Sequence, residues 1–182
     1  SNELNKKLVN FLKDRFKYYL KQKEIRHDII DATISSFKLN KLSSSFEKAK
    51  SLNKIINNQV GIDITSCYKR ASNILESEMK NKVVEITNST DSGLFKNDFE
   101  KNLFFKINEI KKYYLNIDHD EDYEHSLTLL AGAKKEVFDF FDNVKVSEEN
   151  ENLRKNRLEL LNMLCKTFQN FINFQLLKTN NE

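Results

Sequence analysis

The chain contains no proline and only three glycines in 182 residues. Proline removes a backbone donor and kinks helices, and glycine weakens them. At the ordinary usage of about 5%, a chain this long carries roughly nine prolines. So few breakers leave long helices free to form, and the apolar residues recur at helical spacing almost throughout. The fold class that follows is all-α.

The spacing predicts a first helix over 3–23, carrying Leu4, Leu8, Phe11, Leu12, Phe16, Tyr19 and Leu20. Its other face holds Lys6, Lys7, Lys13, Arg15, Lys17, Lys21 and Lys23, which reads as a solvated face or as a contact for a polyanion. A short helix is expected over 27–37. A third runs over 40–58, capped in the Ser43-Ser44-Ser45 cluster. A fourth carries Cys67, Ala71, Ile74 and Leu75, with Asp63 or Thr65 as its cap. Residues 80–93 are polar and form the clearest loop. This divides the chain into a helical subdomain over 1–85 and a helical domain over 94–182. Further helices are expected over 95–115 and, without interruption, over 123–143. A final one starts at Ser147, with acids in its first turn, where the helix dipole favours them.

Placing residues 100° apart along the last helix puts Leu153, Leu160, Leu161, Leu164 and Phe168 on one stripe, with Lys155, Glu159, Asn162 and Lys166 opposite. Arg157 interrupts the apolar stripe. A charge there must be paired or must reach a polar ligand. The expected structural clamp is Arg157 with Asp142 or Asp139 across the preceding turn, or with a backbone carbonyl.

A balanced composition, 39% hydrophobic and 31% charged, suits a folded domain. The net charge of +3 permits nucleic-acid binding without announcing it. Cys67 and Cys165 stand far apart and suggest neither a disulfide framework nor a zinc site. The cluster Asp118-His119-Asp120-Glu121-Asp122 lacks the glycine of a calcium loop and reads as an acidic turn, not a metal site. Three scattered glycines make no phosphate loop, and no catalytic centre is visible. No apolar run is long enough for a membrane span, and no signal peptide is visible, so a cytoplasmic setting is expected.

Three stretches carry a resemblance. They are Arg26-His27-Asp28-Ile29-Ile30-Asp31-Ala32, Lys69-Arg70-Ala71-Ser72-Asn73-Ile74-Leu75, and the run from Phe140 to Val146 continued by Leu153–Leu161, Phe168 and Leu176-Leu177. In this order they resemble the anticodon-binding region of the bacterial glycyl-tRNA synthetase β subunit. That region is a helical bundle of the DALR type found in class Ia synthetases, arginyl-tRNA synthetase among them. The sequence departs from the family's habits near Glu136, where a proline is usual, at Lys145, where an apolar residue is usual, and at Asn173, where Asp is usual.

The resemblance implies a fragment that recognises the anticodon end of glycine tRNA. Glycine activation would belong to a separate α subunit in an α2β2 assembly. The chain itself would hold no cofactor, while the parent synthetase uses ATP and Mg. Arg154, Lys155, Lys69, Arg70 and Asn73 are the candidate RNA-binding residues, cations for phosphates and an amide for base edges. A helical protein-interaction module and an arginyl-type anticodon domain are the alternatives. The first predicts an exposed apolar patch, the tRNA reading a basic face and steep salt dependence.

Overall fold

The computed structural model describes residues 2–80, 85–116 and 122–178, and these contain eight α-helices and no strand. They are α1 (Asn2–Gln22), α2 (His27–Ser35), α3 (Leu42–Ile55), α4 (Gln59–Lys80), α5 (Asp98–Asn116), α6 (Tyr123–Ala131), α7 (Lys134–Asn143) and α8 (Glu151–Gln169). Short 3-10 turns lie at Leu39–Lys41, Ser92–Leu94 and Phe174–Leu176.

Helix α4 is the central strut. It packs on α8, α6, α7 and α3, and on the 3-10 turn at 174–176. Its buried Tyr68 meets Phe168 and Phe174, with ring centroids 6.4 and 5.7 Å away, and the Tyr68 hydroxyl accepts from Gln169 Nε2 at 2.7 Å. Helix α5 packs on α7 and α8, while α2 joins α1, α3 and the turn at 174–176. The buried apolar side chains form one continuous cluster from Phe16 to Leu177, so the core does not part at the 85–94 segment.

The helix limits differ from expectation where side chains other than the nearest polar ones supply the caps. Asn58, not Asp63 or Thr65, caps α4: its Oδ1 accepts from Gly61 N at 3.2 Å. Asp63 and Thr65 lie inside the helix, and the Thr65 hydroxyl donates back to Gly61 O. A Cβ on Gly61 would lie 2.5 Å from Ile56 Cα and closer still to Ile55 O, so glycine permits the tight α3–α4 junction. No serine caps α3; the 39–41 turn leads straight into it, and Ser44 donates to Lys41 O.

The expected helix over 123–143 is two helices. Gly132 closes α6, its N–H donating to Thr128 O, and Ala133 N bonds Leu130 O in a tighter three-residue turn before α7. Helix α8 begins at Glu151, not Ser147, because Val144 and Val146 must first seat in the core. Asn150 then caps it, its Oδ1 accepting from Asn152 N and Leu153 N. Ser147 donates instead to Glu78 on α4 at 2.8 Å.

The three departures from family habit fall at tolerant positions. Glu136 lies in the first turn of α7, where proline and other residues are both accepted. Lys145 turns its side chain to solvent between buried Val144 and Val146. Asn173 caps the 174–176 turn through Oδ1, a task an aspartate performs equally.

Candidate nucleic-acid interface

Arg157 projects into the core from the second turn of α8 and is 6% exposed. Its partners are not Asp142 or Asp139. Nε donates to Glu100 Oε1 at 2.8 Å, and Nη1 donates to Lys145 O at 2.9 Å and to Glu148 Oε2 at 3.3 Å. Asp142 and Asp139 are taken by other cations, Arg70 at 3.1 Å and Lys135 at 2.8 Å, on the outer faces of their helix. The sequence pointed at the nearest acids in the chain. The buried acid partner, Glu100, lies 57 residues away on α5, while the α7–α8 turn contributes the Lys145 carbonyl and the half-buried Glu148 rather than Asp142 or Asp139.

Glu100 is 1% exposed and has a second task. Its Oε2 accepts from Lys96 N and Asn97 N at 2.7 and 3.3 Å, while Asn97 Oδ1 accepts from Glu100 N at 3.0 Å. This is a capping box with Asn at the cap position. One carboxylate therefore starts α5 and fixes α8 to it.

Glu159, expected on the solvent face of α8, is also 1% exposed. Its carboxylate accepts from Thr87 N, from the Thr87 hydroxyl at 2.8 Å and from Asn88 N at 2.8 Å. One turn earlier, buried Asn156 exchanges two bonds with the backbone of Asp91, at 2.7 and 2.9 Å. The loop over 85–91 is thus strapped along α8. Neither residue was singled out by the sequence. The one available signal was the placing of two strong hydrogen-bonding side chains on a helix facing a loop of polar residues.

The five candidate RNA-binding residues fall into two groups. Lys69, Arg70 and Asn73 lie on α4; Arg154 and Lys155 lie on α8. No hydrogen bond or ion pair joins the two groups among the described residues. Arg70 is engaged: its guanidinium lies 5.1 and 4.7 Å from the ring centroids of Phe138 and Phe141 and bonds Asp142. Lys69 reaches the Gln175 carbonyl at 3.4 Å, and Asn73 is exposed. Lys155 is half-buried with no internal acid partner among the described residues. Arg154, also half-buried, has an enclosed Nε with no hydrogen-bond acceptor.

The stretch from Arg26 to Ala32 packs against the turn at 174–176 and the residues that follow it. Arg26 Nε and Nη2 grip Asp28 at 2.7 and 2.5 Å, and Asp28 also accepts from Lys178 N at 2.7 Å. Burial opposes the Asp28 charge, but the Arg26 and Lys178 hydrogen bonds and the guanidinium's charge prevail and hold its carboxyl below the ordinary value of 3.8. Both cysteines are buried, and burial pushes each thiol up to about 12. Of the acidic turn 118–122, residues 118–121 lie outside the described residues. Asp122 caps α6, accepting from His125 N at 2.9 Å. No cluster of His, Cys, Asp and Glu suited to a metal occurs among the described residues. None of their helices is long and apolar enough to cross a membrane.

Helix α1 buries Phe16 and Leu20 but leaves Leu4 73%, Leu8 53% and Phe11 57% exposed. This is the exposed apolar patch that an interaction surface requires.

The sequence is similar over nearly its whole length to proteins described as "Glycine--tRNA ligase beta subunit". It is 31% identical over 174 residues to that of Rickettsia prowazekii (strain Madrid E), covering 96% of this chain and 24% of the relative. With that of Rickettsia africae (strain ESF-5) it is 33% identical over 178 residues, covering 97% and 25%. With that of Rickettsia canadensis (strain McKiel) it is 33% identical over 180 residues, covering 97% and 26%. The chain therefore spans about a quarter of the length of these relatives. Residues 64–179, from the second turn of α4 onward, match the family described as DALR anticodon binding domain. The all-helical bundle described above has the architecture of that type, and the chain belongs to the DALR anticodon-binding domain family.

Proposed function

We propose that this chain binds the anticodon end of glycine tRNA as part of a longer glycyl-tRNA synthetase β subunit. The observation that carries the reading is the family match over 64–179, which takes in most of α4, all of α8 and every residue between them. The similarity to β subunits supports glycine tRNA as the cognate RNA. In this reading a separate α subunit performs glycine activation with ATP and Mg in an α2β2 assembly in the cytoplasm, and the present chain contributes recognition only.

Arg154, Lys155 and Lys69 supply phosphate contacts, and Asn73 an exposed amide one turn from Lys69 on α4. Arg70 would join them only by exchanging Asp142 for a phosphate, since its guanidinium already has an acid and two rings. The test is filter binding of glycine tRNA across a salt series. Affinity should fall steeply with salt, and alanine at one true phosphate contact should flatten the slope by about one unit and weaken all tRNAs alike. Salt-insensitive binding, or none, would overturn the reading.

The patch on α1 favours a second, compatible role. Leu4, Leu8 and Phe11 fit an apolar groove on another part of the same β subunit. Leu8→Asp would weaken that contact without changing tRNA affinity.

A further inference from the structure

The 85–91 strap, α5 and α8 enclose a groove of about 490 Å³, within the range of small-ligand sites. We propose that it is the pocket for an unpaired nucleobase of a single-stranded RNA loop. The proposal rests on the anticodon-end reading and names where a base would be read.

The groove is prebuilt. Asn88 holds a left-handed backbone, φ 63°, a conformation that asparagine tolerates better than most residues and that the surroundings here fix. Buried Glu159 imposes it, by gripping the N–H groups of Thr87 and Asn88 from inside α8. The result places Asn88 Oδ1 against Asn162 Nδ2, 2.8 Å away, and against Lys166 Nζ. Two donors thus already converge on one carbonyl oxygen at the groove wall. Both have protons to spare, since an ammonium carries three and an amide two.

The opposite wall offers the complement. Asn108 on α5 donates its amide to Phe104 O at 2.9 Å, which leaves its own carbonyl oxygen as an acceptor. Phe104 itself lines the groove with a half-buried ring. Unpaired RNA bases are held by stacking on aromatic rings and by hydrogen bonds to their edges. Here a ring, an acceptor and paired donors surround one space. Lys111 at the groove has no internal acid partner among the described residues, which suits an adjoining phosphate. At Asn170 the groove meets a smaller cleft of about 160 Å³ lined by Lys38, Lys41, Ser44 and Ser45, a polar path for the neighbouring backbone.

This pattern selects among bases. An acceptor facing two donors suits a base carrying both an exocyclic amino group and a ring carbonyl, as cytosine does; uracil lacks the amino donor. A good edge contact discriminates by about five- to 150-fold.

The experiment uses the 182-residue chain and a glycine anticodon stem-loop RNA, with its loop cytidines intact or replaced by uridine. Affinities are measured for the parent, Asn108→Ala and Lys166→Ala, each checked for native helix content. The parent should prefer the cytidine loop, and both variants should lose most of that preference, with Asn108→Ala weakening the cytidine loop about tenfold. A second readout needs no variant. The chain has two methionines, Met163 in the groove wall and Met79, exposed near the end of α4. In a methyl-labelled sample the RNA should shift the Met163 signal and leave Met79 in place. If the RNA binds while Met163 stays unmoved and the variants keep parental preference, the base lies elsewhere and only this inference falls. If the parent binds neither RNA, the anticodon reading falls with it.

Discussion

The decisive perturbation of this fold is Arg157→Ala. The guanidinium donates to Glu100, to the Lys145 carbonyl and to Glu148, and the Arg157 and Glu100 side chains are 7% and 1% exposed. Removing it leaves the Glu100 Oε1 without its cation in a site shut off from water. Breaking a buried pair in this way costs about 3–5 kcal/mol. At about 2–4 °C of melting temperature per kcal/mol for a chain of this size, that is a fall of roughly 6–20 °C. The Glu148 arm adds little, since its side chain is 33% exposed and solvent screens it. Glu100→Ala should be at least as damaging. It strands the guanidinium and also dismantles the α5 capping box, itself worth about 0.5–2 kcal/mol. An apolar double replacement, Arg157→Met with Glu100→Leu, should recover part of the loss but not all, because the N–H groups of Lys96 and Asn97 would still lack their acceptor. Urea unfolding followed by circular dichroism measures all three. If Arg157→Ala costs less than about 1 kcal/mol, the level of an exposed pair, the argument that Glu100 fixes α8 to α5 is wrong.

Other outcomes follow from the same packing. Cys67 and Cys165, buried and with thiols pushed up to about 12, should resist a thiol reagent in the native protein and react together on unfolding. Gly61→Ala should destabilise by about 1–3 kcal/mol in the same urea assay, since the new methyl meets α3 backbone rather than a mobile side chain. Asp28 holds its charge more readily when folded than when unfolded, so its contribution is present above the unfolded value of 3.8 and is lost as pH falls through the lower folded value. Asp28→Asn should therefore be less stable than the parent near neutrality, and the gap should close in acid; a pH-independent gap would refute the linkage. Asn156→Ala should speed hydrogen exchange at the Asp91 amide while leaving the α8 amides protected.

Which parts of this molecule the sequence discloses depends on how far away each side chain finds its partner. Helices whose apolar stripe meets the core are legible, since period alone specifies them: α1, α2 and α5 lie within a few residues of expectation. The burial of Arg157 is legible too, because it interrupts such a stripe. Its partner is not, because Glu100 is defined by which helix crosses α8 and not by proximity in the chain. Glu159 and Asn156 show the stronger form of this limit. Period places Glu159 on a solvated face, and a loop 71 and 72 residues earlier in the chain fills that face with backbone N–H groups. A polar side chain on a helix looks the same in sequence whether water or a strapped loop satisfies it. The distinction matters because the loop it holds, with Asn88 in its left-handed turn, forms one wall of the groove between α5 and α8. The groove's position follows from two buried carboxylates: Glu100 sets α5 against α8, and Glu159 sets the loop against both. Conservative amide replacement at Glu159 should therefore alter RNA base preference more than it alters the salt dependence of binding, since it deforms a wall of the groove and removes no phosphate contact.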